Sequence, residues 1–220
     1  EPTPLADEIS FILSQAGKYL TRQPKLADVR SVWGGIRPLV RPQGKPSGTQ
    51  AISREHTILV DRSGLVTVTG GKWTTYRSMA EEVMQHCLQA GLMDNRQKCV
   101  TEGLSLIGAP ASVSHKISDP PGEHLYGTEA GLLADMAGSQ HELGMGLSEA
   151  MVRFAVRYEG ARSIEDVLAR RSRILFLDAA LAAELAEPVG EILAQEIGGI
   201  YSKKHDLDNF LALSGRYHSV

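Results

Sequence analysis

The chain has 220 residues, 42% of them hydrophobic and 22% charged, which is the composition of an ordinary globular protein with one large or two small domains. Its formal net charge of −3 argues against a general nucleic-acid binder. No apolar run approaches the roughly 18 residues that a membrane-spanning helix requires.

The cysteines and the N-terminus indicate the setting of the chain. Cys87 and Cys99 fit no metal-binding spacing, so we predict no metal site and two reduced thiols in a cytoplasmic protein. The first residue is Glu1, and the residues after it lack the basic and apolar regions of a signal peptide. We therefore expect the chain to begin partway through a longer protein.

Helix and strand patterns alternate in the first part of the chain. Residues 5–20 place apolar side chains at helical spacing and predict an amphipathic helix. Residues 26–40, which contain Val and Trp and then Gly-Gly and Pro, predict a strand with a bend. Residues 51–71 predict an antiparallel hairpin whose turn spans residues 61–64.

A glycine turn after the hairpin is the clearest functional pattern. The segment "TVTGGKWTTYRSMAEE" at 67–82 runs from a predicted strand through Gly70-Gly71 and Lys72 into a helix that starts near Thr75 and stops near Gly91. The start of a helix exposes unpaired N–H groups at its positive end, and the lysine adds a full charge beside them. The pattern predicts an anion-binding corner, with an ordinary capped helix behind a strand as the alternative.

This corner is not a nucleotide-binding Walker A loop. That motif needs a glycine six residues before its lysine, and Val66 stands there. It also needs Ser or Thr directly after the lysine, and Trp73 follows Lys72. The predicted anion is therefore not assigned to ATP. In the following helix, Met79 and Val83 are predicted to face inward, together with Cys87.

The second part of the chain is predicted to be mostly helical from residue 125 to residue 200. Ser148 and Ser163 are predicted helix N-caps, and Asp166 supplies the carboxylate of a capping box. Pro188 is predicted to be the first residue of a further helix. Several short amphipathic helices in succession predict a helical bundle.

Three motifs, in this order and at this spacing, resemble the FAD-dependent glycerol-3-phosphate dehydrogenases. They are "SVWGGIRPLV" at 31–40, "AISREHTI" at 51–58 and "GLVTVTGGKWTTYRSMAE" at 64–81. Residues 158–179 resemble the helical C-terminal domain of the same enzymes. The dinucleotide-binding unit with G-x-G-x-x-G has no match, so the chain resembles the C-terminal part of such an enzyme.

The resemblance implies an α+β fold class with two domains. Residues 1–98 would form the C-terminal strands and helix of an FAD- and substrate-binding domain of the amino-acid-oxidase type. Residues 99–220 would form an all-α helical bundle domain. The predicted boundary lies where a Pro/Gly-rich, loop-like stretch begins.

The resemblance also implies the substrate-binding residues, which are Arg37, Arg54 and Lys72. A guanidinium binds phosphate through two hydrogen bonds, so both arginines suit a phosphate-bearing substrate. Alternatives remain at each position: an ion pair for Arg37, neutralisation of Arg54 by Glu55, and a solvated loop lysine. His56 is interpreted as structural, and the resemblance places the catalytic base upstream of this segment, so no catalytic residue is assigned.

The cofactor implied by the resemblance is FAD. In flavoenzymes of this class the N-terminus of a helix faces the pyrimidine edge of the flavin and stabilises negative charge there. By this resemblance the cofactor-binding residues are Gly70, Gly71, Trp73, Thr74 and Thr75.

The whole enzyme would oxidise sn-glycerol 3-phosphate to dihydroxyacetone phosphate by hydride transfer to FAD. Electrons would pass to a quinone, with the protein attached peripherally to the inner membrane and a homodimer left open. One alternative is an oxidase that uses oxygen, and another is a non-catalytic helical module for binding or dimerisation. We expect the isolated 220 residues neither to hold FAD tightly nor to turn over substrate.

Overall fold

A computed structural model describes residues 2–36, 56–94, 98–112, 115–116 and 119–218. The chain divides into two compact units. The helical unit comprises Glu1–Gly35 together with Ile107–Val220, and the hairpin unit comprises Ile36–Leu106. The predicted division at residues 98 and 99 stays a prediction, and these units differ from it because residues 1–35 cluster with the helices.

The described residues form seven α-helices and four short strands. In chain order they are α1 (Ala6–Gly17), β1 (Thr57–Val60), β2 (Val66–Thr69), α2 (Tyr76–Gln89), α3 (Ala130–Ala134), β3 (Glu142–Gly144), β4 (Leu147–Ser148), α4 (Glu149–Tyr158), α5 (Ile174–Leu177), α6 (Ala179–Ile197) and α7 (Lys203–His218). The two sheets are each antiparallel and two-stranded. This helix-rich arrangement with small sheets is the predicted α+β class.

The helix predicted at residues 5–20 is confirmed as α1, with a shorter span. The carboxylate of Glu8 accepts a hydrogen bond of 3.0 Å from the Leu5 backbone N–H, which satisfies the donor just before the first turn. None of its residues is fully buried. The helix ends at Gly17.

The strand predicted at residues 26–40 is wrong wherever the structure describes that segment. Leu26–Asp28 form one 3-10 turn, residues 29–36 belong to no strand, and residues 37–40 lie outside the described part. A Val- and Trp-containing pattern favours extended backbone, but a strand also needs a neighbouring strand. Here the backbone hydrogen-bonds to the ends of helices instead.

The hairpin prediction is confirmed for β1 and β2. Ile58 pairs with Val68, and Val60 pairs with Val66. The turn closes where the sequence places it, because Gly64 has φ +86° and its N–H donates to the Asp61 carbonyl over 3.0 Å. The part of the predicted hairpin before residue 56 lies outside the described residues.

Every fully buried side chain among the described residues lies in the helical unit. The core runs from Leu133 to Ser214 and is centred on α4, α6 and α7, with Phe154, Leu168 and Phe210 among its largest side chains. In the described residues of the hairpin unit, no side chain is fully buried. The helical unit therefore carries the hydrophobic core that stabilises the chain.

The capping predictions at two helix starts are confirmed. The Ser148 hydroxyl accepts from the Met151 N–H at 3.3 Å. Ser163 and Asp166 form the reciprocal box: each backbone N–H donates to the other side chain, both over 3.1 Å. The helical turn that follows is a π-helix over Asp166–Arg171, which the sequence pattern does not distinguish from an α-helix.

The prediction that Pro188 begins a helix is wrong. Pro188 lies in the middle of α6, which begins at Ala179 with Asp178 as its N-cap. The Asp178 carboxylate accepts from the Leu181 N–H at 3.1 Å. The carbonyl that loses a donor to the proline belongs to Glu184, an exposed residue, so water can reach that side of the helix.

An ion-pair network joins α4 to α6. Glu196 accepts hydrogen bonds from Arg153 Nη1 at 2.8 Å, from Arg157 Nε at 2.6 Å and from Arg157 Nη2 at 2.7 Å. The side chains of Glu196 and Arg153 are only 9% and 12% exposed. Hydrogen bonds from Arg157 lower the pKa of the Glu196 carboxyl below its usual range, and this effect outweighs that of burial, which raises the pKa.

No helix in the described ranges combines the length and the apolar character needed to cross a bilayer.

Candidate functional site

The predicted anion-binding corner is built by two glycines at the end of β2. Gly70 has φ +79° and Gly71 has φ +93°, a backbone region that side chains disfavour. At Gly71 a Cβ atom would also lie 2.6 Å from the Met79 sulfur and 3.2 Å from the His56 Cβ. The sharp reversal from strand to helix thus requires glycine for its backbone angle, and a side chain at position 71 would also displace the end of Met79.

Lys72 precedes the helix and presents its side chain to solvent. Its carbonyl accepts two hydrogen bonds from Thr75, one from the N–H at 3.0 Å and one from the hydroxyl at 3.1 Å. A 3-10 turn over Trp73–Thr75 then leads into α2, as the sequence predicts to within one residue. Within the described part of the chain, Lys72 forms no ion pair.

Two aromatic rings stand beside this lysine. Trp73 is 87% exposed and stacks on Tyr76, with ring centroids 5.7 Å apart. The 3-10 turn satisfies the first N–H of α2, because the Tyr76 N–H donates to the Trp73 carbonyl. An exposed ammonium, the positive end of the helix and a flat aromatic surface suit a planar or phosphate-bearing anion.

A cleft between the hairpin and α2 was not found by the sequence reasoning. It has a volume of about 510 Å³ and is lined by His56, Thr57, Ile58, Glu82 and His86. His56 Nε2 lies 2.7 Å from a Glu82 carboxylate oxygen, which ties β1 to α2. The interpretation of His56 as a structural residue stays a prediction, since this pairing alone does not test it.

The four-residue spacing of Glu82 and His86 on α2 was the signal that could have revealed this cleft. Residues at that spacing share a helix face. The His86 Nδ1 atom lies 2.9 Å from the Glu82 carbonyl oxygen, which fixes the orientation of its ring. The link from this face to His56 depends on a tertiary contact and is not visible in the sequence.

The predicted site residues are only partly described. Lys72 and the five predicted cofactor-binding residues lie together in the turn between β2 and α2. Arg37 and Arg54 lie outside the described residues. Their roles therefore remain predictions.

Comparison with known proteins gives consistent matches along the chain. Residues 99–204 match the family model of the C-terminal domain of alpha-glycerophosphate oxidase. Mitochondrial glycerol-3-phosphate dehydrogenase SDP6 of Arabidopsis thaliana is 37% identical over 227 residues, covering 89% of this chain and 36% of that protein. A probable mitochondrial glycerol-3-phosphate dehydrogenase of Caenorhabditis elegans is 36% identical over 90% of this chain and 30% of that protein. The human mitochondrial enzyme is 32% identical over 94% of this chain and 32% of that protein.

The family match assigns the second half of the chain to a class of C-terminal domains that is named after alpha-glycerophosphate oxidase. The chain belongs to the glycerol-3-phosphate dehydrogenase family, and the resemblance drawn from its motifs is confirmed. It spans about a third of the length of the curated relatives it matches.

Proposed function

We propose that the chain is the C-terminal part of an FAD-dependent enzyme that oxidises sn-glycerol 3-phosphate to dihydroxyacetone phosphate. Family membership supports the reaction class. The observation that carries the proposal is the exposed Lys72 beside a glycine turn and the start of a helix. In this proposal residues 1–98 belong to the FAD- and substrate-binding domain, and residues 99–220 form the helical domain.

The chemistry of the corner fits the negatively charged groups that the proposal requires. Lys72 offers a full positive charge, and the first N–H groups of the helix add partial positive charge at close range. Positive φ angles at Gly70 and Gly71 turn the backbone sharply at this point. When bound, FAD supplies the acceptor for the hydride that leaves C2 of the substrate.

The residues of this chain would act by binding and orientation. Arg37, Arg54 and Lys72 would hold the substrate phosphate and so orient C2 for the reaction. Oxidation removes a hydride from C2 and a proton from the C2 hydroxyl, so the carbon–oxygen bond becomes a carbonyl. The proton passes to a base, to which no residue of this chain is assigned.

We also propose peripheral attachment to an inner membrane and delivery of electrons to a quinone, with a homodimer left open. The three relatives above are named mitochondrial. That compartment differs from the cytoplasm predicted from the cysteines, and fractionation of the native protein would locate it.

Steady-state kinetics of the full-length enzyme test the substrate-binding residues. We expect Lys72→Met and Arg37→Ala each to raise KM for glycerol 3-phosphate by roughly ten- to a hundredfold, the effect of losing a charged hydrogen bond. The control is Lys98→Met, which removes an exposed lysine of the same unit. An unchanged KM in both site variants would remove the phosphate-binding role.

A glycerophosphate oxidase is the second candidate, because the matched domain is described by the name of such an enzyme. Peroxide release during aerobic turnover, compared with reduction of a quinone analogue, separates the two. We also propose that the 220 residues alone are inactive and hold no flavin. Flavin absorbance in the purified chain would contradict this.

A further inference from the structure

The pair formed by His56 and Glu82 joins the hairpin to α2 next to the glycine turn that precedes Lys72. Thr57 pairs with Thr69 in the last step of the ladder, so His56 stands where β2 ends and the glycine turn begins. Its Nε2 atom lies 2.7 Å from a Glu82 carboxylate oxygen. The turn is therefore flanked by a hydrogen bond between the strand end and the helix.

The same two elements also pack against the turn itself. A Cβ atom at Gly71 would lie 2.6 Å from the Met79 sulfur and 3.2 Å from the His56 Cβ. Met79 lies three residues before Glu82 on α2, and residues at that spacing share a helix face. One face of α2 thus meets the turn through an apolar contact at Met79 and through the hydrogen bond of Glu82.

The hairpin unit offers this turn no buried core, because none of the side chains that the structure describes there is fully buried. The side chains of His56 and Glu82 are 20% and 45% exposed. A pair this exposed adds little to the free energy of unfolding, but its short distance restrains how the strand end meets the helix. Gly70 and Gly71 need such a restraint, since glycine has more backbone freedom than any other residue.

We propose that His56 and Glu82 are positioning residues that hold the glycine turn, and with it Lys72, in the conformation that binds the substrate phosphate. This inference rests on the proposed function and assigns the cleft between the hairpin and α2 a role within it. Lys72 directly follows Gly71, so any change in the backbone of the turn moves the base of its side chain. A loosened turn must be ordered again when substrate binds, and this entropy cost lowers the affinity. Neither His56 nor Glu82 is required to touch the substrate.

The charge of Glu82 gives positioning and electrostatics opposite effects on KM. A carboxylate within two turns of the start of α2 repels an anionic substrate, so its removal should lower KM on electrostatic grounds alone. If the carboxylate holds the turn through His56, its removal should raise KM. Glu82→Gln separates the two effects, because the amide oxygen still accepts a hydrogen bond from the His56 Nε2–H while the charge is gone.

Steady-state kinetics of the full-length enzyme with glycerol 3-phosphate provide the first test. We expect His56→Ala and Glu82→Ala each to raise KM roughly fivefold, the upper end of what a partly exposed pair contributes, with kcat within about twofold. Glu82→Gln should restore KM to within about twofold of wild type, because the acceptor is kept. In a Lys72→Met background, His56→Ala should add little, because the residue through which it acts is already gone.

The matched control is Glu81→Ala, which removes the neighbouring carboxylate from the same helix. The Glu81 carboxylate pairs with Arg77, on α2 itself, at 2.8 Å, so its removal leaves the contact between the hairpin and the helix intact. We expect no rise in KM in this variant. A rise equal to that of Glu82→Ala would show a general response to changes on α2 and would overturn the inference.

Amide hydrogen exchange of the full-length enzyme gives a readout that does not depend on turnover. Peptides that cover residues 67–79 should exchange faster in His56→Ala and Glu82→Ala than in wild type and Glu81→Ala, because the turn opens more often without the pair. Unchanged exchange in these peptides would overturn the inference even if KM rises.

The outcomes also separate this inference from the proposed function. If Lys72→Met leaves KM unchanged, the phosphate-binding role of Lys72 fails, and the inference fails with it. If Lys72→Met raises KM but His56→Ala and Glu82→Ala do not, or if their effects add fully to that of Lys72→Met, only the inference fails.

Discussion

Replacing Glu196 by Gln should strongly destabilise the helical unit. The substitution keeps the size of the side chain but removes the negative charge that faces Arg153 and Arg157. Arg157 is 48% exposed and can be solvated again. Arg153 is 12% exposed, and its Nε–H already lacks a hydrogen-bond partner within the described part of the chain. The cost therefore comes mainly from a buried guanidinium that keeps only the Glu149 carboxylate, at 3.6 Å, and the Gln195 side-chain oxygen, at 2.9 Å, as partners among the described residues.

The size of the effect follows from these exposures. Breaking a fully buried ion pair from one side costs about 3–5 kcal/mol, and exposed pairs contribute about 0–1 kcal/mol. With one arginine buried and one half-exposed, we expect a loss of about 2–3 kcal/mol in the free energy of unfolding. For a chain of this length that corresponds to a fall in Tm of roughly 5–10 °C.

Thermal unfolding followed by far-UV circular dichroism measures this change, with Glu184→Gln as the matched control. Glu184 lies on the same helix, is exposed, and forms no ion pair among the residues that the structure describes. A Tm for Glu196→Gln within 2 °C of the control would refute the argument that the network stabilises the fold.

Three further expectations follow from burial, charge and backbone angle. The pKa of Glu196 is lowered on folding, so its contribution to stability is fully present above the ordinary value of about 4.3 and is lost as the pH falls through the lowered value. The difference in unfolding free energy between wild type and Glu196→Gln should therefore shrink in acid denaturation curves below about pH 4.3. A constant difference would contradict this. Leu168→Ala should cost about 2–5 kcal/mol in urea unfolding because that side chain is fully buried, while Leu177→Ala, 46% exposed, should cost far less; equal losses would contradict the burial assignment. Gly71→Ala should lower substrate affinity in the full-length enzyme, because alanine disfavours φ +93° and its methyl group would displace Met79. If the Gly71→Ala enzyme keeps wild-type kinetics, a side chain at this position does not strain the turn.

Local signals in the sequence predicted the local structure well. The Asp-to-Gly turn of the hairpin, the glycine turn before α2, and the Ser148 and Ser163 caps all depend on residues a few positions apart. Such patterns act through hydrogen bonds and backbone angles inside one short segment, so the sequence contains all of their partners. The position of Lys72 between the glycine turn and the start of the helix was predictable for the same reason.

Features that depend on distant partners were not predictable in this way. Residues 29–36 have a strand-like composition, but the backbone partners of Arg30 and Val32 are helix ends far along the chain. A proline is common at the first position of a helix, but the helix that contains Pro188 begins nine residues earlier, at Ala179, where Asp178 caps it and its buried face starts. The pairing of His56 with Glu82, and hence the cleft, likewise requires the hairpin to lie against α2.

The contacts of residues 30–33 with the ends of helices have a consequence for how the chain folds as it is synthesised. The Ser31 hydroxyl donates to the Leu175 carbonyl and Arg30 donates to the Asp178 carboxylate, so these contacts join positions 144 and 148 residues apart in sequence. These pairings close long loops, so their entropy cost must be met before the contacts form. During translation, residues 30–33 leave the ribosome long before α5, α6 and α7 exist to receive them. The attachment of residues 30–33 is therefore a late step, completed only after the Tyr217 carbonyl, which accepts from the Val32 N–H, has emerged.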